Sequence, residues 1–219
     1  TTRTLAFTNL CSGIYLLLWT LGFVIYALRN PNKQRSLFFA WMALFILLGY
    51  AYLNMAIAQV RDLALSVTHT NYFQWHYLVV VLALMNLAGL VFLLQKMQEA
   101  FKPLYRYFTA LLLLVLVSVL SLESIQLWVY YGYEPGFSIS SYREKAIQIA
   151  WPILWSLISL GYMLSGMWTK RTWLRLMSLA LFCITILKLF VLDIRNVSQG
   201  GKIAAFIILG LILLVVSFM

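Results

Sequence analysis

Tyr77-Leu78-Val79-Val80-Val81-Leu82-Ala83-Leu84-Met85-Asn86-Leu87-Ala88-Gly89-Leu90-Val91-Phe92-Leu93-Leu94 is an 18-residue run without a charge, broken only by the amide of Asn86. A helix rises 1.5 Å per residue, so about 20 such residues cross a hydrocarbon layer of about 30 Å. The run shows no apolar/polar alternation of the kind that marks strands of an outer-membrane barrel. It reads as a membrane-spanning helix, because only a helix or a closed barrel satisfies its own backbone in oil.

Similar runs lie on either side. Seven spans are expected: about 5–28, 37–58, 77–94, 105–128, 147–167, 174–192 and 203–219. The whole chain has 219 residues, of which 63% are hydrophobic and 10% charged. A soluble domain carries about 25% charged residues, and a fold of this length could not hide so much apolar surface from water. The fold class expected is therefore all-α, a polytopic bundle of about seven transmembrane helices forming a single domain over residues 1–219. The chain opens on Thr1-Thr2 and stops inside an apolar run at Phe218-Met219, so a portion of a longer polypeptide is expected.

Turn residues support these cuts. Arg29-Asn30-Pro31-Asn32-Lys33 breaks one helix and starts the next. Lys102-Pro103 opens the fourth, with proline in the first turn. Gln199-Gly200-Gly201-Lys202 separates the last two spans, and Pro152 is expected to bend the fifth. Ser141 and Glu144 have the spacing of a capping box. Cys11 and Cys183 both fall in apolar runs and read as small buried hydrophobes.

Sidedness follows from lysine and arginine in short loops. Arg29, Lys33, Arg35, Lys96, Lys102, Arg106, Lys170, Arg171 and Arg175 fall on one side. Arg3, Arg61, Arg143, Lys145, Arg195 and Lys202 fall on the other. The richer side is expected in the cytoplasm, with the N-terminus outside and the C-terminus inside. The net charge of +10 is then a topology signal and a contact for anionic lipid at Lys170, Arg171 and Arg175, not a nucleic-acid footprint.

Charged groups inside spans are expensive and mark candidate sites. Glu123 and Lys188 each sit about a turn inside the outer end of their helices and are opposite in sign, so they are expected to pair. Asp193 and Arg195 follow Lys188 at the helix end. Arg143, in the loop after the fourth span, is placed to meet an anionic headgroup. These five residues form the candidate polar site at the outer face. Asn9, Asn54 and Asn86 are expected to hydrogen-bond between helices, and Gly13, Gly22, Gly49, Gly89, Gly161, Gly166 and Gly210 to permit close helix contact. His69 and His76 lie seven residues apart in the second-to-third loop, without cysteines or clustered carboxylates around them. They do not make a metal site. No phosphate-binding glycine loop, metalloprotease helix or nucleophile elbow is present, so no catalytic residue and no cofactor is expected.

From Tyr142-Arg143-Glu144-Lys145-Ala146 onward the text resembles a known family. It continues through Trp151 and Trp155, Lys170-Arg171-Thr172-Trp173-Leu174-Arg175, and Ile186-Leu187-Lys188-Leu189-Phe190-Val191-Leu192-Asp193-Ile194. It ends on Lys202-Ile203, Phe206 and Leu209-Gly210-Leu211-Ile212-Leu213-Leu214. This resembles the C-terminal part of a large family of bacterial multi-pass predicted membrane proteins of unknown function. Lys188, Phe190, Asp193, Lys202 and Gly210 match its pattern, over about the last third of the chain. The resemblance implies an envelope role in bacteria, hence the cytoplasmic (inner) membrane.

The function expected is a non-enzymatic integral membrane subunit or domain of a bacterial envelope assembly, with protein partners in the membrane. One alternative is a transporter or lipid-handling protein with an outward-facing cavity at Glu123, Lys188, Asp193 and Arg195. Another is a seven-helix sensory module, by topology alone. An enzyme acting on a lipid-linked substrate, with Glu123 as general base, ranks last.

Overall fold

The computed structural model describes residues 2–30, 32–66, 71–97, 102–134 and 136–189, with Ile203, Ile207, Gly210 and Leu211 beyond them. The described residues are helical and contain no strand. In chain order the helices are α1 (Thr2–Arg29), α2 (Lys33–Leu48), α3 (Tyr50–Ser66), α4 (Trp75–Met97), α5 (Lys102–Gly132), α6 (Ile139–Lys145), α7 (Trp151–Trp168) and α8 (Thr172–Lys188). A 3₁₀ turn, Asn71–Gln74, leads into α4, and one turn of π-helix, Ala146–Ala150, joins α6 to α7.

Five helical stretches among the described residues are long and apolar enough to cross a membrane: Phe7–Arg29, Lys33–Leu65, Trp75–Lys96, Tyr105–Gly132 and Ile139–Trp168. They correspond to the first five expected spans. The sixth is described only as far as Leu189, and the seventh lies outside the described residues apart from four positions.

The chain divides into two compact units, Thr1–Gln126 and Leu127–Met219, with the boundary inside α5. In the first unit α1 packs on α4, α2 and α3. Its buried positions, Leu10, Gly13, Leu17, Thr20, Val24 and Ala27, step by three and four residues, which lays one narrow seam along the helix. α4 answers with the same spacing at His76, Val79, Ala83, Asn86, Leu90 and Leu93. Glycine sets the approach at two points. A β-carbon on Gly89 would meet Val24 Cγ1 at 2.5 Å, and one on Gly13 would overlap Leu53. Gly22 and Gly161 instead face open space, so their expected role in close packing is not seen.

The turn between α1 and α2 forms as the sequence implies. The Asn32 side chain caps α2 by accepting from the amides of Gln34 and Arg35. Ser36 Oγ donates to the Ala27 carbonyl at 2.9 Å, and Lys96 Nζ donates to the Leu28 carbonyl at 2.5 Å, satisfying orphan groups at the end of α1. The basic ends of α1 and α4 therefore meet, as the loop-charge pattern requires. α2 and α3 form one long stretch broken at Gly49, which caps α2 and restarts the helix.

In the second unit α7 and α8 form an antiparallel hairpin. The end of α7 carries two linked bonds, from the Arg171 amide to the Gly166 carbonyl and from the Lys170 amide to the Met167 carbonyl. These define a Schellman cap, with Lys170 at the left-handed position (φ 53°). A side chain at Gly166 would strike Arg175 and Leu174 of α8.

Two expectations are corrected. Both cysteines lie on the helix surface, not in the core. An apolar run does not say which face a residue takes, and in oil the outer face is apolar too. The capping box is absent: α6 starts at Ile139 after Ser138, and Ser141 Oγ bonds back to the Ser138 carbonyl at 2.8 Å from inside the helix. Pro152 sits in the first turn of α7, directly after the π turn.

Candidate functional site

The first unit holds a chain of buried polar side chains. On α3, Tyr50, Asn54, Ile57 and Arg61 step by four, three and four residues, so they share one face. On α5, Val119, Glu123 and Gln126 do the same. α4 begins at Trp75, so His76 enters at its first turn, and Phe73 of the preceding 3₁₀ turn stacks on the imidazole with ring centroids 4.7 Å apart.

Glu123 is the hub. Tyr50 Oη donates to Glu123 Oε1 at 2.5 Å, and Asn54 Nδ2 donates to the same oxygen at 3.2 Å. His76 Nε2 is in contact with Glu123 Oε2. Gln126 Nε2 donates to Asn54 Oδ1 at 2.9 Å, and Arg61 donates to Gln126 Oε1 at 2.8 Å. The Arg61 guanidinium also makes a two-pronged contact with Asp62 Oδ1, at 2.9 and 2.6 Å. His76 is 1% exposed, Arg61 2% and Glu123 5%, whereas the Asp62 side chain is 44% exposed. Three helices are thus tied by side chains that would each be costly to bury alone.

This placement corrects two further expectations. Arg61 is not a loop cation, so it is removed from the poorer side of the charge comparison. His76 is not a loop residue either; it is a buried member of the network. Sequence reasoning singled out Glu123 and Asn54 but missed Tyr50, His76, Arg61 and Gln126 as their partners. The signal was the shared helical face of Tyr50, Asn54 and Arg61, opposite the one formed by Glu123 and Gln126. Asn86 meets its expectation by donating to the Leu17 carbonyl of α1 at 3.1 Å.

In the second unit Lys188 is buried at the end of α8, and its Nζ donates to the Ile147 carbonyl at 2.8 Å. The π turn explains that acceptor. The Trp151 amide bonds five residues back to the Ala146 carbonyl. The next bond in that register would run from residue 152 to Ile147, and proline has no amide hydrogen to make it. The lysine supplies the missing donor. Ser159 and Ser178 couple α7 to α8 by reciprocal bonds, each hydroxyl donating to the other residue's carbonyl at 2.8 and 2.7 Å.

Sequence reading expects Glu123 to pair with Lys188; the two fall in different units, and the bonds above lie inside each unit. Arg143 is exposed on α6 beside Glu144 and Lys145. Asp193 and Arg195 lie outside the described residues. Lys170 and Arg175 are exposed around the α7–α8 turn, and Arg171 is half-buried.

Asn54, Asn86, Glu123, Gln126, Ser156 and Ser159 of the spans turn inward, while rows such as Leu78, Val81, Met85 and Phe92 of α4 are exposed and apolar. That inside-out pattern, on helices of membrane length, defines a multi-pass helical membrane protein. The chain belongs to a family described as predicted membrane protein (DUF2339), whose profile matches residues 2–219. The match takes in the first 140 residues as well as the last third, where the motifs of the resemblance lie. No curated protein and no solved structure matches the chain.

Proposed function

We propose that this chain is a non-enzymatic multi-pass subunit or domain of a bacterial envelope assembly in the cytoplasmic (inner) membrane. It crosses seven times, with the N-terminus outside and the C-terminus inside, and forms a single transmembrane domain. One observation carries the reading. Tyr50, Asn54, His76, Glu123, Gln126, Ser159, Ser178 and Lys188 bond to each other or to backbone carbonyls. These polar groups specify helix register. The apolar outer rows offer lipid and neighbouring helices a matching surface. Lys170, Arg171 and Arg175 hold anionic headgroups at the inner face.

Cross-linking in native membranes before gentle extraction tests the assembly. The chain is expected to migrate with defined membrane partners; a single-chain species after cross-linking overturns the reading. Single cysteines placed at Lys33, Arg143 and Lys170 test the sidedness. Residues 33 and 170 are expected to label from the cytoplasm and residue 143 from outside.

A further inference from the structure

We propose that the His76–Glu123 pair of the first unit is a proton-binding site, which takes up one proton between two side chains that titrate as one. The inference goes beyond the packing role above and does not depend on any partner.

The geometry sets the stoichiometry. His76 Nε2 touches Glu123 Oε2, and such a contact requires a proton between the two atoms. The other carboxylate oxygen already accepts from Tyr50 and Asn54, so both oxygens of Glu123 are engaged. Arg61 does not neutralise the carboxylate. Its charge is met by Asp62, and it reaches Glu123 only through two neutral amides, Gln126 and Asn54. Tyr77, whose ring centroid lies 5.2 Å from that of His76, carries no charge at neutral pH. Among the described residues His76 is then the one group in contact with Glu123 that can become a cation.

A buried carboxylate with no cation beside it is strongly disfavoured in a low-dielectric medium. Taking up one proton from water makes the pair neutral overall, as imidazolium with carboxylate or as imidazole with carboxylic acid. Losing it leaves a net charge of minus one among α3, α4 and α5. No bond other than those to the proton is made or broken.

The second observation is His76 Nδ1. It is fully buried and, among the described residues, has no hydrogen-bond partner. It is a bare acceptor in the unloaded pair and an N–H donor in either loaded form, so a backbone carbonyl or a backbone amide would suit only one of the two. The proton gained on loading is the one this atom carries when the pair is an imidazole with a carboxylic acid or an imidazolium with a carboxylate. A metal ion fits less well. No group of three His, Cys, Asp or Glu side chains gathers among the described residues, and two donors already point at Oε1.

The chain has two histidines, so His69→Gln leaves His76 as the sole reporter. The chain carrying this change, with nitrogen-15 histidine and carbon-13 glutamate, is placed in lipid nanodiscs. It is then titrated from about pH 4 to about pH 9, across the ordinary carboxyl and imidazole ranges. The expected result is one transition, with the His76 nitrogens and one carboxyl carbon moving together. Potentiometric uptake should fall by about one proton per chain, and by no more than one, in the double variant Glu123→Gln with His76→Gln. Unchanged His76 protonation across the range overturns the proposal. So does a loss of more than one proton in the double variant, or a resonance that moves at constant pH when sodium, potassium or zinc is added. The spectra of the chain with the pair intact decide the matter even if a variant fails to fold.

Discussion

The two units solve the same problem, polar groups inside oil, in different ways. The first unit has side-chain-to-carbonyl bonds, such as Asn86 to Leu17, but adds a side-chain network across α3, α4 and α5 that includes three ionisable residues around Glu123: Tyr50, His76 and Arg61. In the second unit side chain bonds to backbone: Lys188 to Ile147, and Ser159 and Ser178 to each other's carbonyls. A side-chain network fixes three helices against one another and can hold or release charge. A side-chain-to-carbonyl bond mends a local defect or staples two neighbours. It demands little of the rest of the fold.

The contrast predicts unequal costs. Glu123→Leu strands Tyr50, Asn54 and His76 together and is expected to lose about 3–5 kcal/mol, the range for breaking a buried charged pair. Glu123→Gln keeps an acceptor for Tyr50 and Asn54 and should lose less. Thermal unfolding in mild detergent reads both, and equal losses would show that the hub is not electrostatic.

Lys188→Met comes next, at about 1.5–3 kcal/mol for a hydrogen bond from a charged donor. Adding Pro152→Ala should return part of that loss, because residue 152 regains an amide for the Ile147 carbonyl. If the double variant is no more stable than Lys188→Met alone, the repair role is wrong.

Lys170→Gly should gain about 1 kcal/mol, since glycine adopts the left-handed cap without a β-carbon clash. A loss would mean that the lysine side chain contributes more than its backbone strain costs. The smallest effect is expected at Ser159→Ala or Ser178→Ala. Interhelical hydrogen bonds in membranes average about 0.6 kcal/mol, and the pair should be non-additive in a double-mutant cycle.

Most of the fold was legible because oil imposes a coarse rule on sequence. Apolar length marked the first five spans, and Asn32, Lys102 and Gly166 sat where turns or close contacts required them. The candidate site was less legible. Glu123 stood out as a charge in a span, but depth alone suggested Lys188 as its partner. The partners found inside the first unit were Tyr50, Asn54 and His76, an aromatic, an amide and an imidazole, none of which breaks an apolar run. Hydropathy averages over the faces of a helix, so it locates a span without saying which side is inward. That is also why Cys11 and Cys183 were assigned to the core. The π turn had no signal beyond Pro152, whose usual reading is a bend.

The π turn is in effect one surplus residue threaded into a helix, and the lysine answers it from α8. Length and charge at these distant positions are therefore coupled. A relative one residue shorter between positions 145 and 152, with no proline there, has no orphan carbonyl for an ammonium to visit. In such a chain an uncharged side chain at the position of Lys188 becomes the better fit to the hydrocarbon, so the indel and the lost lysine should be inherited together.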